Sequence, residues 1–134
     1  MDEITLLSPD GLVRSPAFSH VAVVPPGSTT LDVGGQNGVD AHGDLISEDF
    51  TAQTAQAIAN LRTALAAGGA TLDDLVSWSV LVVDGVDVAA GARVAAVALN
   101  PDRRPPLLTL ARVAGLGVRG ALVEVSGIAA IPPR

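Results

Sequence analysis

The chain has 134 residues, of which 49% are hydrophobic, with a formal net charge of −6 and no cysteine. This length predicts one domain with its own hydrophobic core, and the lack of cysteine excludes disulfides, thiolate metal sites and a cysteine nucleophile. The negative charge and an aromatic content of only 2% argue against a nucleic-acid partner, because phosphate backbones attract basic surfaces and single strands need stacking platforms.

The first residues and the hydropathy of the chain predict the cellular compartment of the protein. The first residues, MDEITLLSPDGL, carry acid where a secretory signal needs base, and no apolar stretch approaches the ~18 residues of a membrane span. We therefore expect a cytoplasmic protein without a membrane partner. The large hydrophobic share also predicts a face that meets another copy of the chain.

The first half of the chain predicts two strands and a helix. Two short β-branched runs, residues 20–24 and 29–33, flank the breaker Pro25-Pro26-Gly27-Ser28 and predict a hairpin. Residues 50–67 have apolar side chains at helical spacing, with Gln53 off the apolar face, and predict the longest helix.

The second half predicts one more helix and three more strands. These are a strand at 76–83, a helix at about 87–99 and strands at 107–114 and 121–131. The order ββαβαββ predicts a two-layer α+β domain with a mixed sheet. Val, Leu and Ala occupy both parities of most strands, so the second sheet face is expected to be apolar and to need a partner.

The glycine-rich stretch Gly34-Gly35-Gln36-Asn37-Gly38 has two interpretations. Asn37-Gly38 is a strong signal for a type I′ turn. Alternatively, the glycines let a ligand approach the backbone, with amide groups or Gln36 as donors. Neither of the glycine patterns that bind phosphate is present.

Glu124 is the most informative ionisable residue. It interrupts a strand of Ala, Leu, Val and Ile and shares a face with Leu122, Ser126 and Ile128 by strand alternation. A carboxylate that is buried among such neighbours needs a partner or changes its protonation equilibrium, which is typical of a general acid or base. The alternative is an edge position with the carboxylate in water.

The remaining charged clusters carry weaker signals. Residues 40–44, DAHGD, together with His20, match no zinc or calcium spacing and are interpreted as a solvated turn, so no metal is expected. Arg103-Arg104 or Arg112 can hold a substrate carboxylate bidentately, but a solvated loop is the favoured interpretation of the arginine pair.

A run of matches across about residues 18–131 resembles the Rid family, also called YjgF/YER057c/UK114. The matches are Val33-Gly34-Gly35-Gln36, Gln53-Thr54-x-Gln56-Ala57-Ile58-x-Asn60-Leu61, Leu65 to Ala70, Leu72-x-Asp74-Leu75-Val76, Pro106-x-x-Thr109, Val113 to Leu116 and Val123-Glu124-Val125 with Ala129. On this interpretation residues 1–134 form a single Rid-like domain, with 1–17 as an N-terminal segment and 18–131 as the core.

The resemblance implies a fold, an assembly and a chemistry. The fold is chorismate-mutase-like, with two helices on one face of the sheet, and three copies form a homotrimer with ligand clefts between subunits. The family activity is hydrolysis of reactive imines and enamines to a carbonyl compound and ammonia, without a cofactor. Glu124 matches the glutamate that positions water, and Gly34, Gly35 and Gln36 match a segment that lines the cleft.

The resemblance also shows departures from the family pattern. Leu108 takes the place of the arginine that anchors the substrate carboxylate, and a looser alignment puts Pro105 there. Ala92 takes the place of an asparagine, His20 that of a tyrosine and Gly34 that of a serine, so these positions are candidate substrate contacts with altered chemistry.

Three functions follow as hypotheses. The first is an imine or enamine hydrolase whose small-metabolite substrate lacks a carboxylate anchor. The second is a non-catalytic small-molecule-binding or regulatory trimer, which the joint loss of the family residues favours. The third and least favoured is a ribonuclease, because of the negative charge and the few aromatic residues.

Overall fold

The computed structural model describes residues 2–134. Its elements are β1 Thr5–Leu7, β2 Val21–Val23, β3 Thr29–Gln36, α1 Phe50–Ala67, a 3₁₀ turn Leu72–Asp74, β4 Leu75–Val83, α2 Val88–Ala98, β5 Leu107–Val113 and β6 Val123–Ile131. The predicted α+β class is confirmed, and the predicted helix at 50–67 coincides with α1.

The main sheet has four strands in the order β3-β6-β4-β5. β4 and β5 run parallel, whereas β6 is antiparallel to both β3 and β4, so the sheet is mixed as predicted. β4 and β5 are joined through α2, the crossover that a parallel pair requires.

The predicted hairpin between residues 20–24 and 29–33 is wrong. β2 pairs with β1, and β3 pairs with β6 at the edge of the main sheet. The Pro-Pro-Gly turn therefore passes the chain from one sheet to another. β-branched runs beside a turn reveal two strands, but they do not determine which partner each strand takes.

The core lies between the main sheet and α1, and α2 packs beside α1 on the same side. The fully buried side chains Leu61 and Leu65 of α1 meet Val123 and Val125 of β6. Asp49 caps the N-terminus of α1 by accepting a hydrogen bond from the Ala52 amide at 2.9 Å. Within residues 2–134, no helix combines the length and apolar character needed to cross a membrane.

Gln53 departs from the sequence-based expectation. Helical spacing predicts that it lies off the apolar face of α1, yet it is fully buried. Its Nε2 donates to the carbonyls of Ser47 and Gly120, and its Oε1 accepts from the Leu122 amide at 2.8 Å. A buried amide is tolerated because it is hydrogen-bonded, here to the backbone before α1 and to the backbone that leads into β6.

Candidate functional site

The glycine-rich stretch forms a β-bulge rather than a type I′ turn. Val33 pairs with Gly127 and Gln36 with Val125, so Gly34 and Gly35 together oppose the single residue Ser126. A type I′ turn needs positive φ at both central residues, whereas neither Asn37 nor Gly38 has a positive φ. The predicted turn at Asn37-Gly38 is therefore wrong.

Close packing explains why Gly38 is glycine. A Cβ at Gly38 would lie 2.6 Å from the Cα of Gln53 and 2.7 Å from its carbonyl oxygen. Asn37 is buried, and its Nδ2 donates to the Val123 carbonyl at 3.0 Å. Asn60 Nδ2 in turn donates to the carbonyls of Asn37 and Val39. This buried amide network holds the end of β3 against α1 and β6.

The bulge places Gly35 directly against Glu124. A Cβ on Gly35 would lie 2.6 Å from the Cδ of Glu124 and 2.7 Å from its Oε2. At Gly34, a Cβ would meet no atom within 4 Å. Gly35 thus lacks a side chain where the carboxylate lies, so the glycine is needed for the close packing of Glu124 against β3.

Glu124 projects from the face of the sheet that no helix covers. Side chains of directly paired strand residues project to the same side, and Glu124 pairs with Leu81, which pairs with Ala111. Its neighbours Val123 and Val125 point into the helix-covered core. Glu124 is half-buried, and within residues 2–134 its carboxylate makes no hydrogen bond or ion pair. The carboxylate is thus available to water or a substrate.

The uncovered face is more polar than the sequence predicted. Strand pairing assigns to it Thr30, Asp32, Ser77, Ser79, Leu81, Val83, Leu107, Thr109, Ala111, Val113, Glu124, Ser126, Ile128 and Ala130. Side chains with hydroxyl groups from three strands, Ser126 among them, line a shallow depression of about 290 Å³. These positions hold two carboxylates and no arginine, so the face presents hydroxyl and acidic groups among aliphatic ones.

The other predicted site residues lie away from Glu124. Leu108 pairs with Trp78 and packs against the core, so it projects to the helix side of the sheet. Ala92 lies on α2 on that same side, where both residues line an apolar cavity. The structure therefore brings together Gly35 and Glu124, but separates Leu108 and Ala92 from them by the thickness of the sheet.

Gln36 and His20 have local partners. Gln36 pairs with Val125, so its side chain leaves the backbone on the helix-covered side of the sheet. Its Nε2 donates to the Gly34 carbonyl at 3.1 Å. His20 lies beside the small β1–β2 sheet, where its Nε2 is 2.7 Å from the Val13 carbonyl and its ring stacks edge-on with Phe18. Neither side chain reaches Glu124 within the chain as described.

Two of the arginines that are candidate carboxylate anchors, Arg104 and Arg112, have polar neighbours away from Glu124. Arg104 donates to the Leu6 carbonyl at 3.2 Å, and Arg112 lies 3.8 Å from Asp84. Residues 40–44 form the predicted turn, in which Asp40 accepts from the amides of His42 and Asp44. In the described part of the chain, no cluster of three or more acidic or histidine side chains is suited to hold a metal.

Comparison with known proteins agrees with this fold. Residues 13–131 match the family model described as Endoribonuclease L-PSP. A crystal structure of the Rid-family protein YyfB from Yersinia pestis has a TM-score of 0.84 at 28% identity and covers 98% of this chain and 100% of that one. RidA from the Antarctic bacterium Psychrobacter sp. PAMC 21119 has a TM-score of 0.71 at 28% identity, covering 93% and 94%.

A third structure extends the likeness. Rv2704 from Mycobacterium tuberculosis, a member of the YjgF/YER057c/UK114 family, has a TM-score of 0.66 at 25% identity and covers 96% of this chain and 100% of that one. No curated protein sequence gives a significant match. With a two-layer α+β domain and a family match across residues 13–131, the chain belongs to the Endoribonuclease L-PSP family, the Rid or YjgF family of these structures.

Proposed function

We propose that this protein hydrolyses reactive imines or enamines that lack a carboxylate, with Glu124 as the acid/base group. The observation that carries the proposal is the Glu124 carboxylate, which lies unpaired over Gly35 on the uncovered sheet face. A carboxylate at this place can accept a proton from water as the water adds to the C=N carbon. The carboxylate passes this proton to the nitrogen, which gives a carbinolamine. It then takes the proton of the new hydroxyl group and delivers it to the nitrogen as the C–N bond breaks, leaving a carbonyl compound and ammonia.

The charges of the uncovered face support a substrate without a carboxylate. Asp32 and Glu124 both lie on this face, and its paired positions hold no arginine. An anionic substrate would meet like charges there, at a cost that a neutral imine or a cationic iminium avoids. The hydroxyls of Ser79, Thr109 and Ser126 offer hydrogen bonds that orient a small polar molecule.

We also propose that the chain works as a cytoplasmic homotrimer with its clefts between subunits. The uncovered face supports this assembly, because Ile128 is exposed there and Leu81 and Leu107 are only half-buried. In a trimer, the second wall of each cleft would come from a neighbouring copy. A ribonuclease activity is not proposed, because the acidic face around Glu124 repels phosphate.

Measurement of ammonia release from a panel of neutral imines and imino acids tests the proposed activity. We expect turnover of neutral imines, and a loss on the order of 100-fold or more in kcat for Glu124→Gln, which keeps the size of the side chain and removes its proton-accepting charge. Asp32→Asn, a loss of charge on the same face, is the matched control and should retain most activity.

Two outcomes would contradict this function. Turnover that survives Glu124→Gln at the wild-type rate would exclude Glu124 as the acid/base group. Tight metabolite binding without turnover on any substrate of the panel would instead favour the alternative of a non-catalytic binding protein.

A further inference from the structure

Asn37-Gly38 is the one asparagine-glycine step of the sequence, and the proposed hydrolase site makes no use of its chemistry. An asparagine before a glycine can react with its own backbone, because glycine carries no side chain that would hinder the approach of its nitrogen. The nitrogen of Gly38 bonds to Cγ of Asn37 and the Cγ–Nδ2 bond breaks. The proton of the Gly38 amide leaves with Nδ2 as ammonia, and a succinimide ring remains. Water then opens the ring at either carbonyl, which gives aspartate or isoaspartate.

The other asparagines of the chain are poorly suited to this reaction. Asn100 precedes Pro101, which has no backbone N–H to give up. Asn60 lies inside α1 and precedes Leu61, so the hydrogen-bonded helix fixes its backbone and a side chain follows it. The sequence therefore contains a single step at which this deamidation is expected.

The structure restrains the side chain and the carbonyl of Asn37. The residue is only 8% exposed, and its Nδ2 donates to the Val123 carbonyl at 3.0 Å. Since Nδ2 is the atom that leaves as ammonia, ring closure must break this hydrogen bond. The Asn37 carbonyl accepts from Asn60 Nδ2 at 3.0 Å and from the Val39 amide at 2.9 Å. The reacting residue is thus held by β6, by α1 and by its own loop.

Gly38 is restrained by α1 and by the loop that follows. A Cβ at Gly38 would lie 2.6 Å from the Cα of Gln53, so its backbone has no room to shift towards the helix. Its carbonyl accepts from the Ile46 amide at 3.0 Å. The step can rearrange only when the end of β3 separates from α1 and β6, and such an opening is rarely populated because it breaks buried contacts.

We propose that Asn37-Gly38 is a deamidation site that the fold keeps closed, and that its reaction in the unfolded chain prevents refolding. Either product carries a carboxylate instead of the amide, so the Val123 carbonyl loses its donor and a charge enters a buried place. In isoaspartate the backbone also gains an extra carbon, beside the tight contact of Gly38 with Gln53. Unfolding thereby becomes irreversible with time. This site is independent of the function proposed for Glu124.

Peptide mapping by mass spectrometry measures the reaction, because the exchange of NH₂ for OH changes the mass and chromatography separates aspartate from isoaspartate. In mildly alkaline buffer, the chain unfolded in guanidinium chloride should deamidate at Asn37 at least about tenfold faster than the folded chain, since the reaction follows the open population. A synthetic peptide of residues 33–41 should react as fast as the unfolded chain, with or without the denaturant. Asn100 should stay unchanged in the same digests.

Variants of α1 test which contact closes the site. Asn60→Ala removes the donor to the carbonyls of Asn37 and Val39. It should speed deamidation of the folded chain by at least about threefold, because lost hydrogen bonds make the opening easier. Thr63→Ala, at an exposed position where the hydroxyl bonds only within α1, is the matched control and should react as the wild type does. Circular dichroism confirms that each variant is folded during the measurement.

Refolding tests the consequence of the reaction. Wild-type chains are held unfolded until part of Asn37 has reacted, returned to native buffer and separated by size-exclusion chromatography. The folded fraction should contain intact Asn37, whereas aspartate and isoaspartate at this position should be concentrated in the fraction that does not refold. Intact and reacted chains share one sample, so each serves as the control for the other.

Four results would overturn the proposal. The first is an unfolded chain in which Asn37 does not react, and the second is a folded chain that reacts as fast as the unfolded one. The third is a folded Asn60→Ala protein that deamidates no faster than Thr63→Ala. The fourth is a refolded fraction that contains reacted chains in the same proportion as the whole sample.

Discussion

The Glu124 carboxylate lies directly against Gly35, a glycine of another strand. Its carboxyl group occupies the space that any side chain at Gly35 would need. The β-bulge of β3 makes this contact possible by turning Gly35 towards the uncovered face. The position of the carboxylate therefore depends on a glycine in another strand.

Gly35→Ala tests this dependence without changing an ionisable group. The new Cβ would lie 2.6 Å from Glu124 Cδ, so we expect the flexible end of Glu124 to move aside while the fold is retained. Because a displacement of about 1 Å at a reacting group can cost on the order of 100-fold in rate, imine hydrolysis should fall steeply.

Gly34→Ala is the matched control for this prediction. A Cβ at Gly34 meets no atom within 4 Å, and its φ is not positive, so activity and stability should stay close to the wild type. Equal activity in Gly34→Ala and Gly35→Ala would show that the position of the Glu124 carboxylate does not matter for turnover.

At the scale of elements, α1 determines where the candidate site lies. Gln53 is hydrogen-bonded to the backbone of Gly120 and Leu122, just before β6, and Asn60 donates to the carbonyls of Asn37 and Val39, just after β3. Gly38 lies so close to α1 that a hydrogen on its Cα is the largest substituent the packing allows. These contacts set the end of β3, and hence the bulge, against β6.

Gly38→Ala is expected to destabilise the protein by about 3 kcal/mol, since the added methyl overlaps the backbone of Gln53, which cannot rotate away. Urea denaturation of Gly38→Ala and of the neutral variant Gly34→Ala measures the difference in the free energy of unfolding. A Gly38→Ala protein as stable as Gly34→Ala would show that α1 and β3 can separate at no cost.

The N-cap of α1 predicts a pH dependence of stability. The Thr51 hydroxyl and then the Ala52 amide, which donate to its carboxylate, lower the pKa of Asp49. A lowered pKa in the folded state means that the ionised cap stabilises the protein above the usual pKa of Asp, and that this contribution is lost as the pH falls through the lowered pKa.

Denaturant titrations at neutral and acidic pH measure this contribution of the cap. Asp49→Ala should unfold more easily than the wild type at neutral pH, with a smaller difference in acid. Asp49→Asn keeps an N-cap acceptor, so its stability at neutral pH should lie near that of the wild type. A constant difference between Asp49→Ala and wild type at all pH values would contradict the role of ionisation.

For the whole molecule, the uncovered sheet face is the expected contact between copies. If the proposed homotrimer forms, light scattering coupled to size-exclusion chromatography should give three times the 13.4 kDa of the chain. Ile128→Glu places a charge on the uncovered face, where Ile128 is 41% exposed, and should shift the protein towards monomer.

Val97→Glu is the control for the assembly, because Val97 is 88% exposed on α2, on the other side of the sheet. It should leave the mass of the assembly unchanged. A wild-type protein that elutes as a monomer at all concentrations would contradict the proposed trimer, and a trimer that Ile128→Glu does not weaken would place the contact elsewhere.

The local pattern of the sequence determined the two helices and five of the strands, because helical spacing over residues 50–67 and β-branched runs reflect short-range preferences of the backbone and of burial. It also determined that Glu124 and Ser126 share a face, since strand alternation is local. Both conclusions depend only on residues that are close together in the sequence. The same pattern did not predict β1, Thr5–Leu7, which lies in the segment interpreted only as N-terminal.

Only the tertiary structure decided which strands pair, that Gly34 and Gly35 form a bulge, and that Leu108 and Glu124 lie on opposite faces. These features depend on the register between strands that are distant in sequence, and a shift of one residue exchanges the two faces. The burial of Gln53 and of Asn37 was likewise decided by long-range packing. A polar side chain is buried only where distant backbone groups meet it, and a short stretch of sequence does not contain those groups.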